Sequence, residues 1–319
     1  MTKLSAAVPA RSFRYQPHHA YYSALGAWRG RRRDQVRSSV LVAGSPRSGT
    51  TWLAAMIAGL AGWPLLDEPT HMHRVEEMWH GHNWMARPFR EPQASDPELA
   101  EDLERLLTGT YLGPGLVGRS RKIDSALWRR SPVVTKVIDS NFILPWITAS
   151  LPWLRTVHMV RHPLAVVASQ EARVGSFWST QRTMGPAYQE FMAAHPEYAG
   201  PVEFDTVATC LVSVWAIEQA WVRDRFDDLH GTIHLRYESV RADVSGEIGR
   251  LASQLGLEPP SPEVVAELDR PSRSVNKLEN TLEGGAQSGW RSRYDEPELA
   301  RLRAILERYD YPFYGPDEL

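Results

Sequence analysis

The 319-residue chain contains a short stretch whose residue types and spacing suit the binding of an anion. It reads VLVAGSPRSGTTWL, and Gly44 and Gly49 bound a loop that carries Arg47. Two glycines allow the backbone to curl so that successive N–H groups point inward, and the helix that follows adds the positive end of its dipole. The hydroxyls of Thr50 and Thr51 supply further donors. The stretch therefore predicts a nest for a phosphate-like group.

The position after the second glycine decides which anion the loop suits. A nucleotidase of the P-loop type carries lysine there to reach the β- and γ-phosphates, followed by a hydroxyl residue that binds magnesium. This chain has Thr50 at that position, and its positive charge lies earlier, at Arg47. The arrangement favours a short anionic tail from whose end a group is transferred, and it argues against Mg-ATP.

A second anion-binding pattern follows a later strand. Arg161 comes directly after the predicted strand 155–160, and Ser169 lies eight residues further on, in a segment with helical spacing. Eight residues are about two helical turns, so the hydroxyl of Ser169 returns toward the end of the strand. The alternative is an arginine that caps a loop and an ordinary helical serine.

The loop sequence SPRSGTTW resembles the 5′-phosphosulfate loop of sulfotransferases that use 3′-phosphoadenosine 5′-phosphosulfate (PAPS). Cytosolic members carry lysine where this chain has Arg47, whereas tyrosylprotein sulfotransferases and many bacterial relatives carry arginine. The resemblance covers about residues 40–295. It implies that the 5′ end of PAPS is bound by Arg47, Ser48, Gly49, Thr50 and Thr51, that Trp52 stacks near adenine, and that Arg161 and Ser169 recognise the 3′-phosphate.

Two further segments are similar to parts of the same family. The run RYESV contains Tyr237, which the resemblance places at the adenine region, although a packed core tyrosine is the alternative. Gly289, Trp290 and Arg291 end a glycine-rich segment that resembles the one over the 3′-phosphate. The segment lacks the Arg-Lys-Gly of cytosolic members, so either Arg291 or Lys277 would supply the charge, and the sequence leaves that choice open.

The reaction that the resemblance implies is transfer of a sulfuryl group from PAPS to an acceptor hydroxyl, which releases 3′,5′-adenosine bisphosphate (PAP). Such a transfer needs a proton acceptor and positive charge where the leaving phosphate develops negative charge. Arginine cannot act as an acid, but its guanidinium can bind two oxygens at once, so we assign Arg47 to electrostatic stabilisation. Lys136 resembles the family's lysine at the end of a strand and would be a second cation.

The general base differs from that of cytosolic members. They carry a histidine two residues after the lysine, where this chain has Ile138. Tyrosylprotein sulfotransferases instead resemble this chain in having a glutamate after the loop helix, and Glu68 follows Arg47 by twenty-one residues. We therefore predict that Glu68 is the base, with His71 and His73 as alternatives.

The alternation of short apolar runs with helical patterns predicts an α/β fold, a parallel β-sheet flanked by helices with a P-loop-like sulfotransferase architecture. Strands are expected at 39–43, 132–138, 155–160 and 231–237. Helices are expected from residue 50 or 51 and at 97–107, 164–169, 205–227, 244–255 and 296–309. Insertions at about 67–130 and 171–204 are predicted to lie over the carboxyl ends of the strands, where ligands bind in such sheets.

The domain prediction is a basic N-terminal extension, 1–37, followed by one sulfotransferase domain, 38–319. The arginines at 29–33 and at 37 are interpreted as a solvated, poorly ordered face, with contact to an anionic surface as the alternative. The longest apolar run, 52–66, is too short to span a bilayer and predicts a buried helix.

Composition excludes several classes of protein. The chain is 43% hydrophobic and 23% charged, which is typical of a globular domain, and its net charge of −2 gives no reason to expect nucleic acid. The single cysteine, Cys210, and the absence of an apolar signal region predict a cytoplasmic location. No self-association motif is visible, so a homodimer stays open beside a monomer.

The insertions are rich in aromatic residues, which predicts an apolar cleft for a small-molecule or glycolipid acceptor: a sugar, a lipid alcohol or a phenol. The residues concerned are Trp79, Trp84, Phe89, Trp128, Phe177 and Trp178. The pairs His71/His73 and His80/His82 could suggest a metal, but sulfuryl transfer needs none, so we predict no metal site. The alternative functions are a nucleotide-dependent kinase with a variant P-loop and a non-catalytic nucleotide-binding protein.

Overall fold

The computed structural model describes residues 16–31, 36–70, 89–112, 127–128, 131–138, 140–174, 186–199, 205–225, 229, 231–263, 265 and 289–318. The strands in this part of the chain are β1 (Val40–Gly44), β2 (Leu65–Asp67), β3 (Val134–Ile138), β4 (Arg155–Val160) and β5 (Thr232–Arg236). The α-helices are α1 (Gln16–Gly30), α2 (Thr50–Ala61), α3 (Pro97–Leu107), α4 (Leu144–Ser150), α5 (Pro163–Val174), α6 (Pro186–Ala194), α7 (Val207–Asp224), α8 (Tyr237–Ala242), α9 (Val244–Gln254) and α10 (Glu296–Glu307).

The strands form one parallel sheet in the order β2-β3-β1-β4-β5, which confirms the predicted α/β fold. β1 is the central strand, and all five of its residues are buried because helices cover both faces of the sheet. The chain turns to opposite sides of β1 when it forms β3 and β4. The carboxyl end of β1 is therefore the topological switch point, where sheets of this kind bind ligands.

The two faces of the sheet bury separate hydrophobic clusters. On one face, Val40 and Val42 pack against Leu53 and Ile57 of α2 and against apolar residues of α9. On the other face, Leu41 and Ala43 pack against leucines of α3 and residues of α4. Beside that cluster, α5, α7 and α10 pack together around Trp215. The alternation of β1 side chains between the two faces follows from the two-residue period of a strand.

The prediction that the run 52–66 forms one helix was wrong at its end. Helix α2 stops at Ala61, and Gly62 then adopts a left-handed conformation with φ of 63°. Glycine adopts this conformation without steric cost and commonly ends helices. After Pro64 the chain extends into β2, which pairs with β3 from Leu65↔Val134 to Asp67↔Lys136. A three-residue edge strand is too short for its pattern to be recognised in the sequence.

The sequence suggested that the basic N-terminal segment is solvated. This is wrong for Arg29, which is fully buried. Its guanidinium donates to four carbonyl oxygens that belong to Thr108, Gly109, Leu127 and Ser131, at 2.8–3.2 Å. Burial lowers the pKa of Arg29 to about 10. The arginine therefore ties α1 to the end of α3 and to the segment that leads into β3.

Parts of both predicted insertions lie outside the described residues, so their placement over the strand ends stays a prediction. Helix α3 packs on a face of the sheet, and α6 forms where no element was predicted. Phe89 is buried in an aromatic core with Phe191 and Trp221, so it does not line a cleft. Trp128 is 43% exposed, and its indole N–H donates to the hydroxyl of Tyr21. The predicted cleft residues Trp79, Trp84, Phe177 and Trp178 lie outside the described residues.

The two glycines of the loop after β1 have no room for a side chain. A Cβ on Gly44 would lie 2.4 Å from the carbonyl oxygen of Met159 in the neighbouring strand. Gly49 precedes the first residue of α2 with φ of 94°, and a Cβ there would lie 2.7 Å from the ring of Tyr237. The turn between β1 and α2 therefore requires glycine at both ends.

Replacement of Arg29 by methionine is expected to lower the free energy of unfolding by about 3 kcal/mol or more, because four buried carbonyl oxygens lose their donor. Arg37→Met is the matched control, since Arg37 is 43% exposed and 3.6 Å from Glu104. We expect this control to cost less than about 1 kcal/mol. Urea denaturation of both variants measures the difference, and equal midpoints would refute a structural role for Arg29.

Two glycine-to-alanine substitutions should have opposite effects on stability. Gly49→Ala forces a left-handed alanine against Tyr237, so we expect the free energy of unfolding to fall by about 1–3 kcal/mol. Gly59 lies inside α2 with nothing within 4 Å of its added Cβ. Gly59→Ala should raise stability by up to about 1 kcal/mol, because alanine has the higher helix propensity. Thermal unfolding midpoints that move in the same direction would contradict this account of the loop.

Candidate active site

The loop between β1 and α2 is held in a tight curl at the switch point of the sheet. The carbonyl oxygen of Ser45 accepts from the backbone N–H of Ser48 at 3.2 Å and from its hydroxyl at 2.5 Å. Arg47 has φ of 73°, a left-handed conformation that an arginine rarely adopts. Gly49 gives α2 no side-chain cap. The first N–H groups of α2 have no acceptor within the helix, so they are available to an anion in the curl.

The two anion-binding patterns found in the sequence meet at Arg47. The Nε atom of Arg47 donates to the hydroxyl of Ser169 on α5 at 2.8 Å. Arg161, directly after β4, donates from Nη1 to the carbonyl oxygen of Arg47 at 2.9 Å. Gln170 adds a third link, from its side-chain amide to the carbonyl oxygen of Pro46 at 2.9 Å. Residues more than a hundred positions apart thus form one cluster with two guanidinium groups.

Aromatic residues form one wall of this cluster. The guanidinium of Arg161 lies over the ring of Tyr237, with 4.7 Å between the Cζ atom and the ring centroid. The rings of Tyr237 and Trp52 pack edge to face at 6.4 Å. Since Gly49 lies against Tyr237, the predicted adenine residues border the predicted anion loop. A cation over an aromatic face is stabilised by the quadrupole of the ring.

The predicted base and the predicted second cation form an ion pair on the other side of the loop. The Nζ atom of Lys136 lies 2.7 Å from Oε1 of Glu68, 2.7 Å from Oδ1 of Asp67 and 3.1 Å from the hydroxyl of Thr51. The side chain of Lys136 is only 4% exposed. The contacts with Glu68 and Thr51 are hydrogen bonds from the ammonium, and the contact with Asp67 is an ion pair. Two carboxylates share one cation, so the group carries an excess negative charge.

The backbone explains why Glu68 faces the strand end. Its N–H donates to the carbonyl oxygen of Lys136 at 2.8 Å, which continues the pairing of β2 with β3 by one residue. Its φ is 50°, so the chain turns sharply at this position. Ile138, where cytosolic sulfotransferases would have histidine, pairs with Gly44 at the start of the loop.

The glycine-rich segment near the C-terminus contacts the site through an aromatic residue, Trp290. Gly289 and Trp290 are buried in a short 3₁₀ helix, Gly289–Ser292, and Arg291 is exposed. The ring of Trp290 stacks on His162 at 4.5 Å, one residue from Arg161. Trp290 therefore adjoins the Arg161 side of the site through His162. Lys277, the alternative source of charge, lies outside the described residues, as do His71 and His73.

His162 is held at the end of β4 by two hydrogen bonds. Its backbone N–H donates to Glu238 at 2.9 Å, and its Nε2 atom lies 2.9 Å from the carbonyl oxygen of Glu318. Burial lowers the pKa of His162 to about 4. The imidazole is therefore neutral near pH 7, and Nε2 must carry the proton that the carbonyl accepts. The hydroxyl of Tyr314 donates to the other oxygen of Glu238 at 2.8 Å.

Sequence reasoning missed a buried polar network behind the loop. The hydroxyl oxygen of Ser45 lies 3.1 Å from the amide nitrogens of both Asn141 and Gln219, and Asn141 also donates to Glu218 at 3.0 Å. All four residues are at most 2% exposed. One signal was available: Glu218 and Gln219 interrupt the otherwise apolar middle of α7, where a buried polar pair needs partners.

Two other kinds of feature, a metal site and a membrane span, are not found among the described residues. Within the described residues, no group of three or more His, Cys, Asp or Glu side chains is arranged to hold a metal ion. The histidines of the two His-x-His pairs lie outside this part of the chain. None of the helices in the described ranges combines the length and the apolar character needed to cross a membrane.

The comparison with solved structures finds sulfotransferase domains. The sulfotransferase domain from the Synechococcus PCC 7002 olefin synthase is 17% identical, with a TM-score of 0.43, and the match covers 86% of this chain and 95% of that one. The sulfotransferase domain from the curacin biosynthetic pathway is 16% identical, also with a TM-score of 0.43, and the match covers 86% and 98%. No curated protein sequence matches the chain.

The comparison with protein families finds one model, described as "Sulfotransferase family", that matches residues 39–261. The match covers more than half of the chain and includes β1 to β5, the anion loop, Lys136, the Arg161–Ser169 pair and Tyr237. Glu68 also lies within it, whereas the segment with Trp290 does not. On this match the chain belongs to the sulfotransferase family.

Proposed function

We propose that this chain transfers a sulfuryl group from PAPS to the hydroxyl of an acceptor and releases PAP. The observation that supports the proposal most directly is the hydrogen-bonded cluster of Arg47, Arg161 and Ser169. PAPS and PAP differ from ATP and adenosine 5′-monophosphate in carrying anionic groups at both the 3′ and the 5′ positions. A donor set with two guanidinium groups and the N-terminus of a helix suits such a molecule.

The residues around the loop fit the parts of PAPS in turn. The N–H groups of Gly49, Thr50 and Thr51 and the side chain of Arg47 would hold the 5′-phosphosulfate. Ser48 stays a prediction from the sequence, because its N–H and its hydroxyl both donate to the carbonyl oxygen of Ser45. Arg161 and Ser169 would hold the 3′-phosphate, and both are buried, which strengthens their interaction with an anion. Tyr237 and Trp52 would contact the adenine. Gly289, Trp290 and Arg291 stay a prediction for the 3′-phosphate side, supported by the stacking of Trp290 on His162.

Bound PAPS supplies an activated sulfuryl group, and the chain supplies charge and a proton acceptor around it. Arg47 would stabilise negative charge on the bridging and sulfuryl oxygens, and it cannot lose its own proton. Lys136 lies between Thr51 on the donor side and Glu68, so its ammonium would be a second cation beside the same oxygens. Glu68 would accept the proton of the acceptor hydroxyl.

The acceptor is proposed by class only: a sugar, a lipid alcohol, a phenol or another small molecule with a free hydroxyl. A carboxylate base can accept a proton from any of these. The proposal includes no metal, since Arg47 and Lys136 provide the positive charge that magnesium provides in a kinase. A cytoplasmic location and the choice between monomer and homodimer stay predictions from the sequence.

Binding of PAP tests the donor site without knowledge of the acceptor. We expect the wild-type chain to bind PAP in isothermal calorimetry, and Arg161→Ala to lose at least about tenfold in affinity, because a buried charge-assisted hydrogen bond to phosphate is lost. The affinity for adenosine 5′-monophosphate should change less, since that nucleotide has no 3′-phosphate. Arg155→Ala is the matched control, because Arg155 lies at the opposite end of β4 and donates to the carbonyl oxygen of Leu255. Absence of PAP binding by the folded wild-type chain would refute the proposed function.

Loss of the Glu68 carboxylate should slow turnover and spare nucleotide binding. With labelled PAPS and the acceptor that the wild type labels fastest, we expect Glu68→Gln to lower kcat by about 10²- to 10⁴-fold with the affinity for PAP little changed. Asp67→Asn removes the other carboxylate that pairs with Lys136 and should lower kcat by less than about tenfold. Near-normal turnover by Glu68→Gln would show that Glu68 is not the base. It would not contradict the proposed binding site for the donor.

A further inference from the structure

The segment 311–318, which follows α10, packs against β4 and β5. The ring of Phe313 stacks on His234 of β5 at 5.7 Å and lies 5.9 Å from the ring of His158 of β4. Tyr311 and Phe313 have left-handed φ values of 44° and 64°. Residues other than glycine keep this conformation only where the surrounding contacts impose it. The path of the segment is therefore set by what it contacts.

One carboxylate links this segment to the residue that follows Arg161. The Oε2 atom of Glu238 accepts from the hydroxyl of Tyr314 at 2.8 Å, and its Oε1 atom accepts from the backbone N–H of His162 at 2.9 Å. Burial and the charge of Glu238 raise the pKa of Tyr314 well above its ordinary value, so the phenol keeps its proton and is the donor. Glu238 therefore bridges the segment and the end of β4.

Glu318 links the same segment to both strands. Its carbonyl oxygen accepts from Nε2 of His162 at 2.9 Å, and its carboxylate pairs with the guanidinium of Arg236 at the end of β5. That guanidinium also lies over the ring of Tyr314, with 4.4 Å between Cζ and the ring centroid. The N–H of Gly315 donates to the Glu318 carboxylate at 2.8 Å and closes the turn between them. These contacts join the segment to the carboxyl ends of β4 and β5.

The residues held in this way are the sequence neighbours of two predicted nucleotide-binding residues. His162 follows Arg161, and Arg236 and Glu238 flank Tyr237. Because the carboxylate of Glu238 binds the N–H of the peptide group between Arg161 and His162, it fixes the main chain of Arg161 relative to that of Tyr237. The guanidinium of Arg161 lies 4.7 Å from the centroid of the Tyr237 ring. The link between the two strand ends therefore maintains the distance between these two side chains.

We propose that Glu238, oriented by Tyr314 of the segment 311–318, is a positioning residue for the recognition of the 3′-phosphate by Arg161. The inference rests on the proposed function, because it assumes that Arg161 binds the 3′-phosphate of PAPS. The segment lies outside the matched region 39–261. The 3′ side of the site thus depends on contacts that the region shared with the family does not contain.

The test compares a nucleotide that has a 3′-phosphate with one that lacks it. In calorimetric titrations we expect Glu238→Ala to raise the Kd for PAP by about 10-fold, because Arg161 is no longer held in the geometry that binds the phosphate. The Kd for adenosine 5′-monophosphate should change by less than about threefold. Glu238→Gln keeps an oxygen for the N–H of His162, so it should restore the Kd for PAP to within about threefold of the wild-type value.

Tyr314→Phe tests whether the segment acts through Glu238. This variant removes one hydroxyl and should raise the Kd for PAP by about three- to fivefold. In a double-mutant cycle, the loss of affinity in the variant that combines Tyr314→Phe with Glu238→Ala should be no larger than the loss in Glu238→Ala alone. Losses that multiply would show that Tyr314 acts independently of Glu238 and would overturn the proposal.

Controls separate positioning from a general effect on the fold. Glu247→Ala is the matched control, because Glu247 pairs with Arg250 on its own helix, α9, and it should leave both affinities unchanged. Should Glu238→Ala fail to fold, Tyr314→Phe gives the same comparison of nucleotides with the ring kept in place. An unchanged Kd for PAP, or an equal loss for both nucleotides, would contradict the proposal. Failure of the wild type to bind PAP would instead refute the proposed function, so the two failures are distinguishable.

Discussion

The candidate site depends on a pair of hydrogen bonds that fix Arg47 from two directions. Ser169 accepts from its side chain, while Arg161 donates to its main chain. Together they hold a non-glycine residue in a left-handed conformation, which on its own costs on the order of 1–2 kcal/mol. The curl of the loop, the direction of the Arg47 guanidinium and the place of Arg161 are therefore parts of one arrangement. A site that is fixed before the ligand arrives has less to reorganise when the ligand binds.

The ion pair of Lys136 with Glu68 extends this arrangement toward the acceptor side. Lys136 belongs to β3 and Glu68 follows β2, so the short edge strand determines where the carboxylate lies. Without the pairing of Asp67 with Lys136, the segment after α2 would have no fixed place beside the loop. A three-residue strand at the edge of the sheet thus has a larger role than its length suggests.

The parts of the structure that could be predicted from sequence are those with a local signal. Short runs rich in β-branched and apolar residues indicated β1, β3, β4 and β5. Only β1 is apolar throughout, because it is the central strand and is covered on both faces. Glycine spacing indicated the loop, and the eight-residue separation of Arg161 and Ser169 indicated the second anion-binding pattern. These signals depend on residues close together in the chain.

The parts that could not be predicted depend on contacts between distant segments. Arg29 looks like a solvated cation in the sequence, because the carbonyl oxygens that surround it come from α3 and the approach to β3. The sequence gives no sign that Ser45 is part of a buried network, because its partners Asn141 and Gln219 come from distant segments. Phe89 is an aromatic residue of the kind that lines ligand clefts, yet it packs in the core against Phe191. Burial of a polar or aromatic side chain is decided by the tertiary fold. The local patterns of a single sequence do not show which distant segments come together.

Helix α1 lies before the region that the family shares, and this has a consequence for how such a domain is delimited. The matched region begins at residue 39, ten residues after Arg29. A truncated chain that starts there would keep every residue of the anion loop but would lack the cation that joins four carbonyl groups beside the sheet. In this chain α1 packs against the domain although it lies outside the matched region.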